Sequence, residues 1–150
     1  MNVVNNKVGE IIMSEIAANP YINFQGRTQE ALNFYHEALS GELTLMTEDP
    51  NGPPKAAGPD DHIMHGSLAS DGLLIMGSDG HLDYPAKAGD NVAIALSGSD
   101  HERLSDAFEK LSNGGQLKQP LKTESWGDSF GYFVDKFGIN WMVNINVNEN

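Results

Sequence analysis

Ser129-Phe130-Gly131-Tyr132-Phe133-Val134-Asp135-Lys136-Phe137-Gly138-Ile139-Asn140-Trp141-Met142-Val143-Asn144-Ile145-Asn146-Val147 reads as two strands joined by a tight turn. Asp135 suits the first turn position, where a carboxylate can accept from nearby backbone N–H groups, and Gly138 supplies positive φ where the strand resumes. Beyond the turn the alternation is strict. Trp141, Val143, Ile145 and Val147 fall on one face, and Asn140, Met142, Asn144 and Asn146 on the other. The apolar face can sit under a helix. Asparagine is a poor strand former, so the amide row needs a reason. It is either a solvated face or the polar lining of a concave pocket.

Working outward, the chain reads as a duplication. Asn19 to Gln25 reads as a strand, Arg27 to Leu39 as a helix with Ala31, Leu32, Tyr35, Ala38 and Leu39 as its buried stripe, and Leu43 to Glu48 as a second strand. A proline-rich loop over 49–61 follows, and then His62 to Ala69 and Leu73 to Ser78 form a hairpin across Ser70-Asp71-Gly72. A shift of 72 residues superposes Ile22 on Ile94, Gly26 on Gly98, Glu30 on Glu102, Leu32 on Leu104 and Leu39 on Leu111 without a gap. Val92 to Ser97 is then a strand, and Ser99 and Glu102 form a capping box for a helix carrying Leu104, Ala107, Phe108 and Leu111. Gln116 to Lys122, interrupted by Pro120, is an edge strand. Each half reads strand, helix, strand, strand, strand. The sequence predicts an α+β fold of two βαβββ modules, about 19–79 and 91–147, within one domain over 19–150. Residues 1–18 are expected to be a flexible N-terminal extension.

Composition narrows the function. Among 150 residues, 21 are acidic and nine basic, a net charge of −12. That balance disfavours nucleic acid, whose phosphates need clustered Lys and Arg, and it disfavours anionic lipid. The absence of cysteine excludes disulfides, thiol catalysis and Cys-ligated metal. No apolar run approaches a membrane span and no signal peptide is evident, so a cytoplasmic protein is expected.

The ordered fragments Pro20-Tyr21-Ile22-Asn23-Phe24, Glu30-Ala31-Leu32-Asn33-Phe34-Tyr35, His65-Gly66-Ser67-Leu68, Leu74-Ile75-Met76-Gly77-Ser78-Asp79, Trp126-Gly127-Asp128-Ser129-Phe130-Gly131 and Asp135-Lys136-Phe137-Gly138-Ile139-Asn140-Trp141-Met142 resemble the vicinal oxygen chelate superfamily. This superfamily holds the glyoxalase, bleomycin-resistance and dioxygenase proteins, and the likeness is greatest to its PhnB-like branch. The resemblance implies curled mixed sheets around a cleft, helices on the convex side, and a homodimer. It also implies that Asn140, Met142 and Asn144 face the cavity.

Metal-dependent members carry His, Gln or Glu at inward positions of the first and last strands. Here those positions fall on Pro20 or Ile22, on Met76, on Ala93 or Ala95, and on Met142, none of them an imidazole or carboxylate. His62 and His65 are three apart on a predicted strand and point to opposite faces. His65 is a pocket group or a satisfied structural histidine, and Met76 and Met142 are a pliable lining or ordinary core. Trp126 closes one end of a cleft or packs under the proline-rich loop. Some relatives bear a ubiquinone-pathway methyltransferase label, but no nucleotide-binding glycine-rich turn occurs here. The expectation is a small-molecule binding protein with no metal and no cofactor, its ligand held by His65, Met76, Trp126, Asn140, Met142 and Asn144. The alternatives are a metal-dependent lyase, isomerase or dioxygenase, sequestration of a cationic antibiotic, and a dimer with no ligand.

Overall fold

The structure is a computed structural model that describes residues 4–7, 10–12 and 16–147. The chain divides into two compact units, Met1–Ala86 and Lys87–Asn150. In the first, β1 (Val4–Lys7) pairs antiparallel with β2 (Glu10–Ile12). This two-stranded element lies within the stretch that the sequence reads as a flexible extension. Val4, Ile11 and Ile12 are β-branched and favour extended backbone. The rest of the expected extension up to residue 15 lies outside the described residues.

The main sheet of the first unit has the order β3 (Tyr21–Asn23), β7 (Leu73–Ser78), β6 (His65–Ser70), β4 (Glu42–Thr47), β5 (Lys55–Ala56). The β3–β7 pair is parallel and the others antiparallel. Helix α1 (Thr28–Leu39) buries Ala31, Leu32, Tyr35 and Leu39, while Glu30, Asn33 and Glu37 stay exposed. Phe24, Ile63, Leu68 and Ile75 complete this core. Gly66 and Gly77 are cross-strand partners on the helix side. A Cβ on Gly66 would sit 2.7 Å from Leu32 Cδ1, and one on Gly77 2.6 Å from the Phe24 ring. Only glycine admits that approach.

The second unit has the sheet order β8 (Ala93–Gly98), β11 (Asn140–Ile145), β10 (Ser129–Val134), β9 (Gln116–Thr123). Again the first strand runs parallel to the last, and the remaining pairs are antiparallel. The order first, fourth, third, second is that of the first unit without β5. Two α+β units with open mixed sheets and one helix each therefore follow the expected element order. Helix α2 (His101–Ser112) buries Ala107, Phe108 and Leu111 against Phe133, Trp141, Val143 and Ile145. Its cap differs from the predicted box. Asp100, not Ser99, is the N-cap, and its carboxylate accepts from the Arg103 N–H at 3.1 Å. A carboxylate at that position also meets the positive end of the helix dipole. Pro120 lies on edge strand β9, where its missing N–H costs no ladder bond.

The closing hairpin forms as predicted, with Gly138 at φ +86. Asp135 does more than turn the chain. It is 3% exposed, accepts from the N–H groups of Phe137 (2.8 Å) and Ile139 (3.0 Å), and takes the Trp141 indole N–H at 2.8 Å. One carboxylate thus fixes both the turn and the central tryptophan. Among the described residues no helix is long and apolar enough to cross a membrane.

Candidate functional site

In each unit one face of the sheet lies under its helix, and strand alternation sends every second side chain to the other face. In the first unit Gly66, Leu68, Ile75 and Gly77 are buried towards α1, so His65, Ser67 and Met76 take the opposite side. Tyr21 is the parallel partner of Met76, Ser67 its antiparallel partner, and Met46 the partner of His65. These five side chains therefore share one face. The Tyr21 hydroxyl lies 3.2 Å from His65 Nδ1, with the two rings 5.7 Å apart between centroids. Tyr21 is 52% exposed, so the pair is open to a ligand.

The partnership of Tyr21 with Met76 corrects the sequence placement of Pro20 or Ile22 at the inward position. Ile22 pairs with Gly77, on the helix side. A three-residue strand is too short for its own pattern to set which residues face inward. Tyr21, Met46 and Ser67 are the candidates that the sequence alone did not single out. Ser67 was within reach, since it lies two residues from His65 on the same strand.

The corresponding face of the second unit carries Met142, flanked by Ala95 and Tyr132, and Asn144, flanked by Ser97 and Phe130. Asn144 Nδ2 donates to Asp128 Oδ2 at 3.2 Å and to Asn146 Oδ1 at 2.8 Å. Asp128 also accepts from the Val147 N–H. The Asn144 amide therefore ties the β9–β10 loop to the end of β11. Asn140 differs from its neighbours in the row. It is 5% exposed, and its Nδ2 donates to the carbonyls of Gly89 (2.8 Å) and Val92 (2.9 Å). Both its amide hydrogens hold the segment entering β8, so they are not offered to a cavity as the resemblance implies. Trp126 stands 65% exposed at the tip of the β9–β10 loop. His65 and Met76 thus belong to the first unit, and Trp126, Asn140, Met142 and Asn144 to the second.

The proline-rich loop returns beside α1, tethered by Gln29 Nε2 donating to the Gly58 carbonyl at 3.2 Å. A shallow groove there is lined by Gln29, Glu30, Asn33, Ala57 and Pro59. It is open and on the helix side of the sheet. Asp79 fixes the same, N-terminal end of the helix from the end of β7. Its Oδ1 accepts from the Thr28 N–H at 3.0 Å and its Oδ2 from the Ile63 N–H at 2.8 Å. Burial pushes its pKa up, but the Ile63 N–H, the Thr28 hydroxyl and N–H and the nearby His62 outweigh that, leaving it below the usual 3.8. The buried Thr28 hydroxyl falls short of a well-aligned hydrogen bond yet still favours the carboxylate.

Among the described residues no three His, Asp or Glu side chains are grouped to hold a metal ion. The first- and last-strand positions on the two open faces present Tyr21 and Met76 in one unit, and Ala95 and Met142 in the other. Thioether and methyl groups are poor ligands for the chelated ion for which the superfamily is named, and the single Tyr21 phenol does not by itself supply a chelate.

Two open sheets, each with its first strand parallel to its last and a helix on one face, define a glyoxalase-like fold. A glyoxalase-related enzyme from Fulvimarina pelagi shares it, with a TM-score of 0.57 and 17% identity over 89% of this chain and 89% of that one. The PhnB protein of Bacillus cereus superposes with a TM-score of 0.68 and 22% identity, over 87% of this chain and all of that one. A protein from Pseudomonas aeruginosa is 34% identical, covering 89% of this chain and all of its own, with a TM-score of 0.75. The family described as 3-demethylubiquinone-9 3-methyltransferase matches residues 17–144. The chain belongs to that family, the PhnB-like branch of the vicinal oxygen chelate superfamily.

Proposed function

We propose that this protein is a cytoplasmic, homodimeric small-molecule binding protein that works without a metal. The observation that carries this reading is the open face of the first sheet. There a hydrogen-bonded Tyr21–His65 pair stands beside the thioethers of Met46 and Met76 and the hydroxyl of Ser67. Polarizable apolar contact with a few oriented polar groups is the composition of an organic-ligand site. Met142 and Tyr132 give the second sheet a similar apolar surface. The net charge of −12 favours a second reading, in which the ligand is a cationic drug held out of harm's way. Methyl transfer, which the family description names, would require a site for a methyl donor, and the sequence offers no glycine-rich turn for a nucleotide-type donor.

The test combines elemental analysis of untagged protein, sedimentation, and a thermal-shift screen of uncharged aromatic metabolites, cationic antibiotics and S-adenosylmethionine. Binding of organic compounds by a metal-free dimer is the expected outcome. A stoichiometric transition metal, or stabilisation by S-adenosylmethionine alone, would overturn it in favour of catalysis.

A further inference from the structure

The Tyr21–His65 pair has a chemical polarity that says what kind of ligand it takes. The hydroxyl and Nδ1 are 3.2 Å apart. A phenol O–H is a stronger donor than a neutral imidazole N–H, and an imidazole nitrogen is a stronger acceptor than a phenol oxygen. Tyr21 therefore donates, Nδ1 accepts, and the ring proton of neutral His65 is placed on Nε2. Met46 and Met76 lie on the same face, as strand partners of His65 and Tyr21 respectively. Resting on the proposal that the protein binds small organic molecules, we propose that His65 Nε2–H is a fixed hydrogen-bond donor for a carbonyl or enolate oxygen. The planar apolar body of that ligand lies against Met46, Met76 and the Tyr21 ring. Thioethers adapt to a flat ring, and tyrosine offers it a π-face. Tyr21 is then a positioning residue, which acts on the ligand oxygen through the tautomer it imposes.

Acetophenone is the probe, and ethylbenzene is its match without the oxygen. Nitrogen-15 NMR reads the His65 tautomer directly, and methyl and ring resonances report where each probe binds. In the wild type the Nε2–H form should dominate, and acetophenone should move the signals of His65, Met46 and Met76. Ethylbenzene should bind at least about threefold more weakly, as should acetophenone to Tyr21→Phe, in which the tautomer is released. His65→Gln, which keeps an N–H donor, should retain more acetophenone binding than His65→Leu. Tyr21 and His65 lie off the buried core, so these variants should fold, and the wild-type tautomer is decisive without them. A dominant Nδ1–H form, or a Tyr21→Phe protein unchanged in tautomer and affinity, would overturn the assignment. If probes move only Tyr132 and Met142, the binding function stands and this site is wrong. If no probe or screened compound binds either sheet, both ideas fall.

Discussion

The same level of the two sheets is filled in opposite ways. On the helix side of the first unit the row runs Ile22, Gly77, Gly66, Leu45. In the second, register places Ile94, Trp141, Phe133 and Leu117 in the corresponding row. Where one sheet has two glycines, the other has two of its largest side chains. In the first unit Leu32 from the helix and Phe24 from the loop after β3 descend onto bare backbone. In the second, Phe133 and Trp141 stack with centroids 6.4 Å apart, and Phe108 meets Phe133 edge-on at 5.0 Å. Gly131 keeps the space that Phe108 needs, since a Cβ there would lie 2.5 Å from its ring. Topology and register match between the units while volume has moved between strand, helix and loop. Close packing constrains the sum of volumes at a level and not the donor of each part.

The carboxylates differ in the same spirit. Asp79 joins the end of β7 to the start of α1 and to Ile63, linking elements distant in sequence. Asp135 works inside its own hairpin, from turn to tryptophan. The first unit is closed by a long-range tie and the second by a local one.

The comparison breaks most visibly at Trp141. Trp141→Ala should cost ~3–5 kcal/mol in urea unfolding, because it opens a cavity beside Phe133 and leaves a buried carboxylate without its indole donor. A cost below about 1 kcal/mol would show that the aromatic stack is not the centre of that core. Gly77→Val tests the other sheet by overpacking. About 1–3 kcal/mol should be lost as the Phe24 ring is displaced, and an unchanged midpoint would refute the close-approach role.

Asp79→Asn should destabilise by about 1–2 kcal/mol at neutral pH through its two backbone donors. It also has a pH signature. The folded pKa lies below 3.8, so the carboxylate's stabilisation is complete above that value and is lost as pH falls through the folded pKa. Wild type should thus lose stability more steeply than Asp79→Asn on acidification below about pH 4. Parallel acid curves for the two proteins would contradict the tie. The smallest effect belongs to Asn144→Leu, about 0.5–1.5 kcal/mol from release of the Asp128 loop. No loss of stability would mean that its amide is free for other work.

From sequence alone, the closing hairpin, both helices, the duplicated element order and the superfamily were legible. Each rests on short-range signals: strict alternation after Gly138, a helical stripe in Ala31, Leu32 and Tyr35, and an ungapped repeat from Ile22 to Leu39 onto Ile94 to Leu111. Periodicity and turn chemistry act over a few residues, so they survive without knowledge of the fold.

What tertiary structure decided was pairing. Whether Tyr21 or Ile22 faces the ligand side depends on how β3 registers against β7, and a slip of one residue exchanges the faces. The partnership of His65 with Tyr21 spans 44 residues, and that of Asn140 with Gly89 spans 51. Asn140 and Asn144 look alike in the alternating row, yet the first is taken up by a loop arriving from far along the chain and the second by the neighbouring hairpin loop. A side chain's pattern tells which way it points from its own strand. Only the assembled sheet determines what it meets there.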